Sequence, residues 1–203
     1  MNYKIQKLIA IAKKKMANSR DPLHDLEHVE RVAGMVEQMG TELNLSEKHM
    51  QALILAAWWH DVSRTITRRP SLVYMIFFDD IISSFMLWMY TIRFGLFGSV
   101  AGMATRIILC KSFGSGKLFT QIFTTRKARI LVDLLQDADN IDLLRVSRLE
   151  KILHLADTSL KYQIGYRILT WWNFSTDQLK TKTEIAQKYL ARIIHKFIDW
   201  LTR

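Results

Sequence analysis

The chain has 203 residues, 49% hydrophobic and 24% charged, enough for a packed core and incompatible with a disordered or low-complexity chain. Its 8 Gly and 2 Pro are too few turn-makers for an all-β sandwich or barrel, and a single cysteine, Cys110, excludes a disulfide framework and a Cys-rich zinc site. A net charge of +10 favours anionic partners, whether phosphate esters, nucleic acid or an anionic membrane surface, without choosing among them.

Lysines interrupt the apolar residues of Met1–Lys15, so this segment is no secretory signal and a cytoplasmic protein is the expectation. Ile5, Leu8, Ile9 and Ala12 recur at helical intervals and predict a first helix over Asn2–Ala17. Asp21-Pro22 reads as the start of a second helix, which Val29, Val32, Val36 and Met39 carry to a stop at Gly40. Ser46 caps a third helix, with Met50, Leu53, Ile54 and Ala57 inward and its end near Asp61.

Residues 72–110 are unusually apolar: Ile81 to Thr105 holds one charge, Arg93. A bilayer span needs about 20 mainly apolar residues, and Arg93 leaves only 12 uncharged ones on either side. The expectation is two helices, about Leu72–Tyr90 and Gly98–Cys110, packed beside the bundle and shielding Phe77, Phe78, Phe85 and Trp88. Part of that surface is left as a homodimer contact through 72–105 or an exposed patch, with a peripheral membrane contact as the lesser alternative. Phe113–Lys117 reads as a loop; Lys111 stands where a P-loop needs its first glycine, and Leu118 follows the lysine, so a Walker motif is rejected. Further helices are predicted over Arg126–Val146, Ser147–Ser159 and Asp177–Leu201. No strand of convincing length appears.

Four polar residues fall on core-facing stripes. His60 continues Leu53, Ala56 and Ala57; Asp61 continues Ile54 and Ala57; His28 lies in line with Val32, Met35 and Met39; Asp139 follows Leu131 and Leu135. Inward carboxylates without partners are unfavourable by several kcal/mol, so two of them ask for a cation. Two His and two Asp suit one divalent ion among Mn, Fe, Co, Ni, Zn or Mg.

The string from His24 to Val32, His-Asp-Leu-Glu-His-Val-Glu-Arg-Val, resembles the first motif of the HD-domain metal-dependent phosphohydrolase superfamily. His60-Asp61-Val62-Ser63-Arg64 resembles the doublet that names that superfamily, and Gln136-Asp137-Ala138-Asp139-Asn140-Ile141-Asp142 resembles its third motif. The resemblance implies an all-α HD-domain bundle spanning 1–203, with 72–110 as an apolar helical insertion. It also implies one metal held by His28, His60, Asp61 and Asp139, and hydrolysis of a phosphate ester. No histidine lies between 61 and 154, where relatives holding two or three metals place additional ligands, so the site is read as mononuclear. Close relatives carry a His before the third motif, where this chain reads Leu109-Cys110-Lys111-Ser112-Phe113.

A metal so held acidifies a water and draws charge from the transferring phosphoryl group. Asp61 is the candidate proton acceptor, with Asp142, His24 and Asp25 as supporting groups; Asp25 and His24 are equally suited to a helix first turn. Arg31 and Arg64, each three residues after a ligand, and Lys111 and Lys117 from the loop are candidate phosphate partners. Trp58, Trp59 and Trp88 are read as packing. The expected substrate is a phosphorylated small molecule or nucleotide, and nucleoside monophosphates, oligonucleotides and sugar phosphates all fit. The alternative is a catalytically degenerate HD-fold module that binds nucleic acid, nucleotide or anionic membrane.

Overall fold

The computed structural model describes the backbone of residues 2–66, 72–175 and 180–202, and the side chains of 2–66, 78–165, 167–168, 171 and 180–202. The described residues are helical throughout and include no strand. The chain divides into two compact units, 1–136 and 137–203.

In the first unit α1 (Tyr3–Met16) starts at Asn2, whose side chain accepts from the Lys4 amide at 2.9 Å. The second helix, α2 (Leu26–Glu42), begins four residues later than Pro22, because Asp25 rather than Asp21 caps it. It also runs past Gly40. A Cβ at that position would lie 2.7 Å from Met50 Cε, so the glycine serves close packing against the next helix rather than termination.

The third helix, α3 (Glu47–Trp59), is capped by Ser46 as expected, and every residue from Gln51 to Trp59 is buried. A helix apolar on all sides belongs at the centre of a bundle, and α3 packs against α1 and α2. The Trp59 indole donates to the Leu8 carbonyl at 3.1 Å, which satisfies its buried N–H and ties α3 to α1. A 3-10 turn, Val62–Thr65, follows.

Next come α4 (Leu72–Arg93) and α5 (Ser99–Cys110), which pack on each other, with α5 also against α3. The expected shielding of aromatics is corrected here: Phe78, Phe85 and Trp88 are exposed, and the side chain of Phe77 lies outside the described residues. The face that α4 buries is instead Asp79, Asp80, Ser83, Ser84, Leu87 and Thr91. Its polar atoms have local work: Ser83 accepts from the Ser63 amide at 3.0 Å, and Ser84 donates to the Thr105 carbonyl at 3.0 Å. A short helix, α6 (Leu118–Phe123), was not anticipated; it follows the loop, where Gly114 takes φ +74°.

The boundary between units falls inside α7 (Arg129–Leu143). The second unit continues with α8 (Val146–Thr158), α9 (Leu160–Ser175) and α10 (Glu184–Leu201). The helix α9 has no clear apolar stripe in sequence and was not anticipated either. The expected start of the last helix at Asp177 lies outside the described residues. Thr183 caps α10, and Asp137 accepts from the Lys182 and Thr183 amides at 2.8 and 2.9 Å and from the Thr183 hydroxyl at 2.7 Å.

Replacement of Gly40 by Ala gains about 1 kcal/mol of helix propensity but pushes on the flexible end of Met50, so its net effect on stability is expected to be small. Gly40→Leu has no such outlet and should destabilise by about 1–3 kcal/mol. Urea melts of the two variants check this; equal losses in both would show that backbone conformation, not space, fixes the glycine.

Candidate metal centre

His28 sits in the first turn of α2. The Asp25 side chain accepts from the His28 amide at 2.9 Å, so the capping interaction that starts the helix also sets the position of this ring. His60 is the C-cap of α3, where backbone carbonyls run out of helical partners. Its Nδ1 lies 2.7 Å from the Ala57 carbonyl oxygen and donates to it, which leaves Nε2 as the coordinating nitrogen of the neutral ring. Asp61 leaves the helix and opens the 3-10 turn.

Its Oδ2 lies 3.2 Å from His28 Nε2 and 3.2 Å from His60 Nε2, and all three side chains are buried. The two rings meet edge-on, centroids 5.4 Å apart. Burial alone would raise the Asp61 carboxyl, but when the facing imidazoles carry protons the His60 and His24 charges and hydrogen bonds from His28 and His60 outweigh it and hold it well below the ordinary carboxylate range. A neutral His60 with its proton on Nδ1 turns a lone pair towards that carboxylate, and only a shared proton or a cation relieves the repulsion. Two buried imidazoles around one carboxylate fit a divalent transition metal. Asp139, the remaining expected ligand, is half-buried on α7 in the second unit.

Around this centre the other candidates take specific places. His24 lies edge-on to His28, centroids 5.7 Å apart, with its Nδ1 3.2 Å from Asp21 Oδ2. Burial and the Arg64 charge push its imidazole below the usual range. Asp142 is fully buried and ion-paired with Arg145 at 3.0 Å and Arg148 at 3.5 Å. Arg31 makes a loose pair with Glu27 at 3.8 Å. Lys111 lies 3.4 Å from Asp80, which also accepts from the Ser112 hydroxyl, and Lys117 is exposed.

Arg64, a candidate phosphate partner, is mostly buried, with Nε 2.6 Å from Asp79 Oδ2 and an Nη 3.5 Å from Asp21 Oδ2. One guanidinium therefore serves two carboxylates directly and a third, Asp61, at longer range. Asp79 is left under-compensated: burial and the Asp61 charge outweigh Arg64 and Lys111 and push it up to about 7. Asp21 and Asp79 were the residues missed in sequence. The adjacent acids at 79 and 80, in a segment otherwise almost uncharged, were the available signal.

No family model matches the sequence, and no curated protein matches it. The fold is similar to the crystal structure of a predicted HD superfamily hydrolase from an uncultured Thermotogales bacterium. The TM-score is 0.62 at 15% identity, over 98% of this chain and 89% of that one. That likeness carries the HD-like fold, and nothing in it sets 72–110 apart as an insertion.

Removing divalent ions with a chelator should lower the melting temperature, and returning Mn, Co or Ni should restore it. At a hundredfold excess over Kd the linkage is about 2.7 kcal/mol, a shift of roughly 5–10 °C for a chain of this size. No shift, with no metal by elemental analysis, counts against the site. The arginine gives a second expectation: Arg64→Ala strands two buried carboxylates and should cost about 3–5 kcal/mol, whatever it does to substrate. The third concerns pH. Asp79 binds its proton more tightly folded, near 7, than unfolded, near 3.8, so its contribution to stability is lost as pH rises between those values. Asp79→Asn should flatten that slope in melts taken from pH 4 to 8, and an unchanged slope would place the titration elsewhere.

Proposed function

We propose that this chain is a metal-dependent phosphohydrolase that cleaves a phosphate ester of a nucleotide or related small anion. The observation that carries the reading is the buried group of His28, His60 and Asp61, with Asp61 Oδ2 3.2 Å from both imidazole nitrogens; Asp139 is the proposed fourth ligand. A general hydrolase reading also agrees with the HD-like fold.

A divalent ion at this centre supplies Lewis acidity towards water and a phosphoryl oxygen. The chain's own residues do the rest. Asp25 and the Ala57 carbonyl fix the two rings, so the donors are pre-set before substrate arrives. Asp61 remains ionised at neutral pH and is the group placed to accept a proton from water. His24, beside His28 and lowered in pKa, is neutral at pH 7 and can relay a proton at the edge of the centre. Arg31 is the phosphate partner of choice. It lies three residues after His28, beside exposed Glu27 at 3.8 Å, and its guanidinium can hold a phosphate in a bidentate contact.

Assay against a panel of nucleoside monophosphates, sugar phosphates and short oligonucleotides, with added Mn, Co or Ni, tests this directly. His60→Ala and Asp139→Asn should each lower kcat/KM by about a hundredfold or more while keeping a cooperative melt. Arg31→Ala should raise KM with little change in kcat. Metal binding without turnover of any ester would leave a binding module and sink the enzymatic reading.

A further inference from the structure

The helix α4 is built inside out. Among its described side chains Phe78, Ile81, Phe85, Trp88, Met89 and Ile92 are each 40–56% exposed, and Leu87 is the large apolar residue it buries. At about 100° per residue the exposed ones fall on a single stripe little more than a quarter of the circumference wide. The opposite stripe, which carries both of the helix's acids, is the buried one. Ordinary surface helices show the reverse. An exposed apolar stripe of this kind marks a contact with something apolar.

The charge around the stripe says what that is. Residues 1–20 and 81–132 together hold thirteen Lys and Arg and no Asp or Glu. Several of these cations gather at the C-terminal end of α4, to one side of the stripe. Lys7 Nζ lies 5.6 Å from the centre of the Phe94 ring, Lys15 Nζ 4.9 Å from that of Tyr90, and Lys4 donates to the Phe97 carbonyl at 3.4 Å. Arg93 also lies over Phe94, at 5.6 Å. Aromatic and aliphatic side chains bordered by lysines are the composition of a helix lying in the interface of an anionic bilayer. The interleaved Ile and Met residues offer hydrocarbon rather than the flat faces that nucleobases stack on. No described helix is long and apolar enough to cross a membrane, which fits a helix that lies on the surface.

We propose that the outward face of α4, with the lysines of α1 beside it, docks this protein on an anionic lipid surface. Flotation of the full chain with vesicles tests this, comparing phosphatidylcholine alone with an equal mixture of phosphatidylcholine and phosphatidylglycerol. The expected result is binding to the mixed vesicles at least about tenfold tighter than to the neutral ones, weakening with added salt. Phe85→Ser with Trp88→Ser should reduce that binding by about tenfold or more. Its melting temperature should not change, since both side chains are already half exposed. Lys4→Glu with Lys7→Glu should reduce the preference for anionic vesicles. Absence of wild-type binding overturns the proposal, as does unchanged binding in the Phe85/Trp88 variant. A dimer in sedimentation velocity that this variant abolishes, with no vesicle binding, reassigns the face to a second copy. Oligonucleotide binding lost in the same variant, again without vesicle binding, reassigns it to nucleic acid.

Discussion

Charge balance in a space with little water governs this structure. Asp21, Asp61 and Asp79 come from the segment before α2, the end of α3 and α4, and all three carboxylates act on one guanidinium, that of Arg64. Separated ions in such surroundings are unfavourable by several kcal/mol each, so these segments are tied together by electrostatic necessity as much as by packing. The same shortage of positive charge recurs at Asp61, where two imidazoles face one oxygen. The arrangement suits a centre designed to receive a cation: protein charges neutralise most of the carboxylates and leave the last increment to the ion.

Much of this was legible in the sequence, for a definable reason. His28, His60 and Asp139 are polar residues at positions where the helical period demands apolar ones, and that contradiction is visible without coordinates. The starts of α1 and α3 were readable because Asn2 and Ser46 act through their own neighbours. Gly40 was misread because a glycine that ends a helix and one that admits a neighbour look alike until Met50 is seen against it. The ties of Arg64 to Asp21 and Asp79 were not readable for a similar reason: the three are remote in sequence, and charge pairs between segments leave no periodic trace.

The α4 face shows a deeper limit. Its two stripes share one period, so the pattern establishes a helix and says nothing about which side turns inward. The rule that apolar residues go inside would bury Phe85 and Trp88. What decides instead is that Asp79, Asp80, Ser83 and Ser84 have hydrogen-bond and ion-pair partners waiting on the bundle side. Satisfying those polar groups outweighs hiding the aromatics, because a buried polar group can only be satisfied by the fold, whereas an exposed apolar one can be covered by something else.

The helix α7 carries four carboxylates with separate duties: Asp133 accepts from the Ser115 amide at 3.1 Å, Asp137 holds the start of α10, Asp142 pairs with two arginines, and Asp139 is the proposed metal ligand. Each duty depends on angular position around one axis. Inserting or deleting a single residue inside this helix would rotate everything beyond it by about 100° and misdirect several carboxylates at once. Over evolutionary time such a segment tolerates exchange of its outward residues but not a change of length. Among diverged relatives, constant spacing from Asp133 to Asp142 should therefore outlast recognisable similarity elsewhere in the chain.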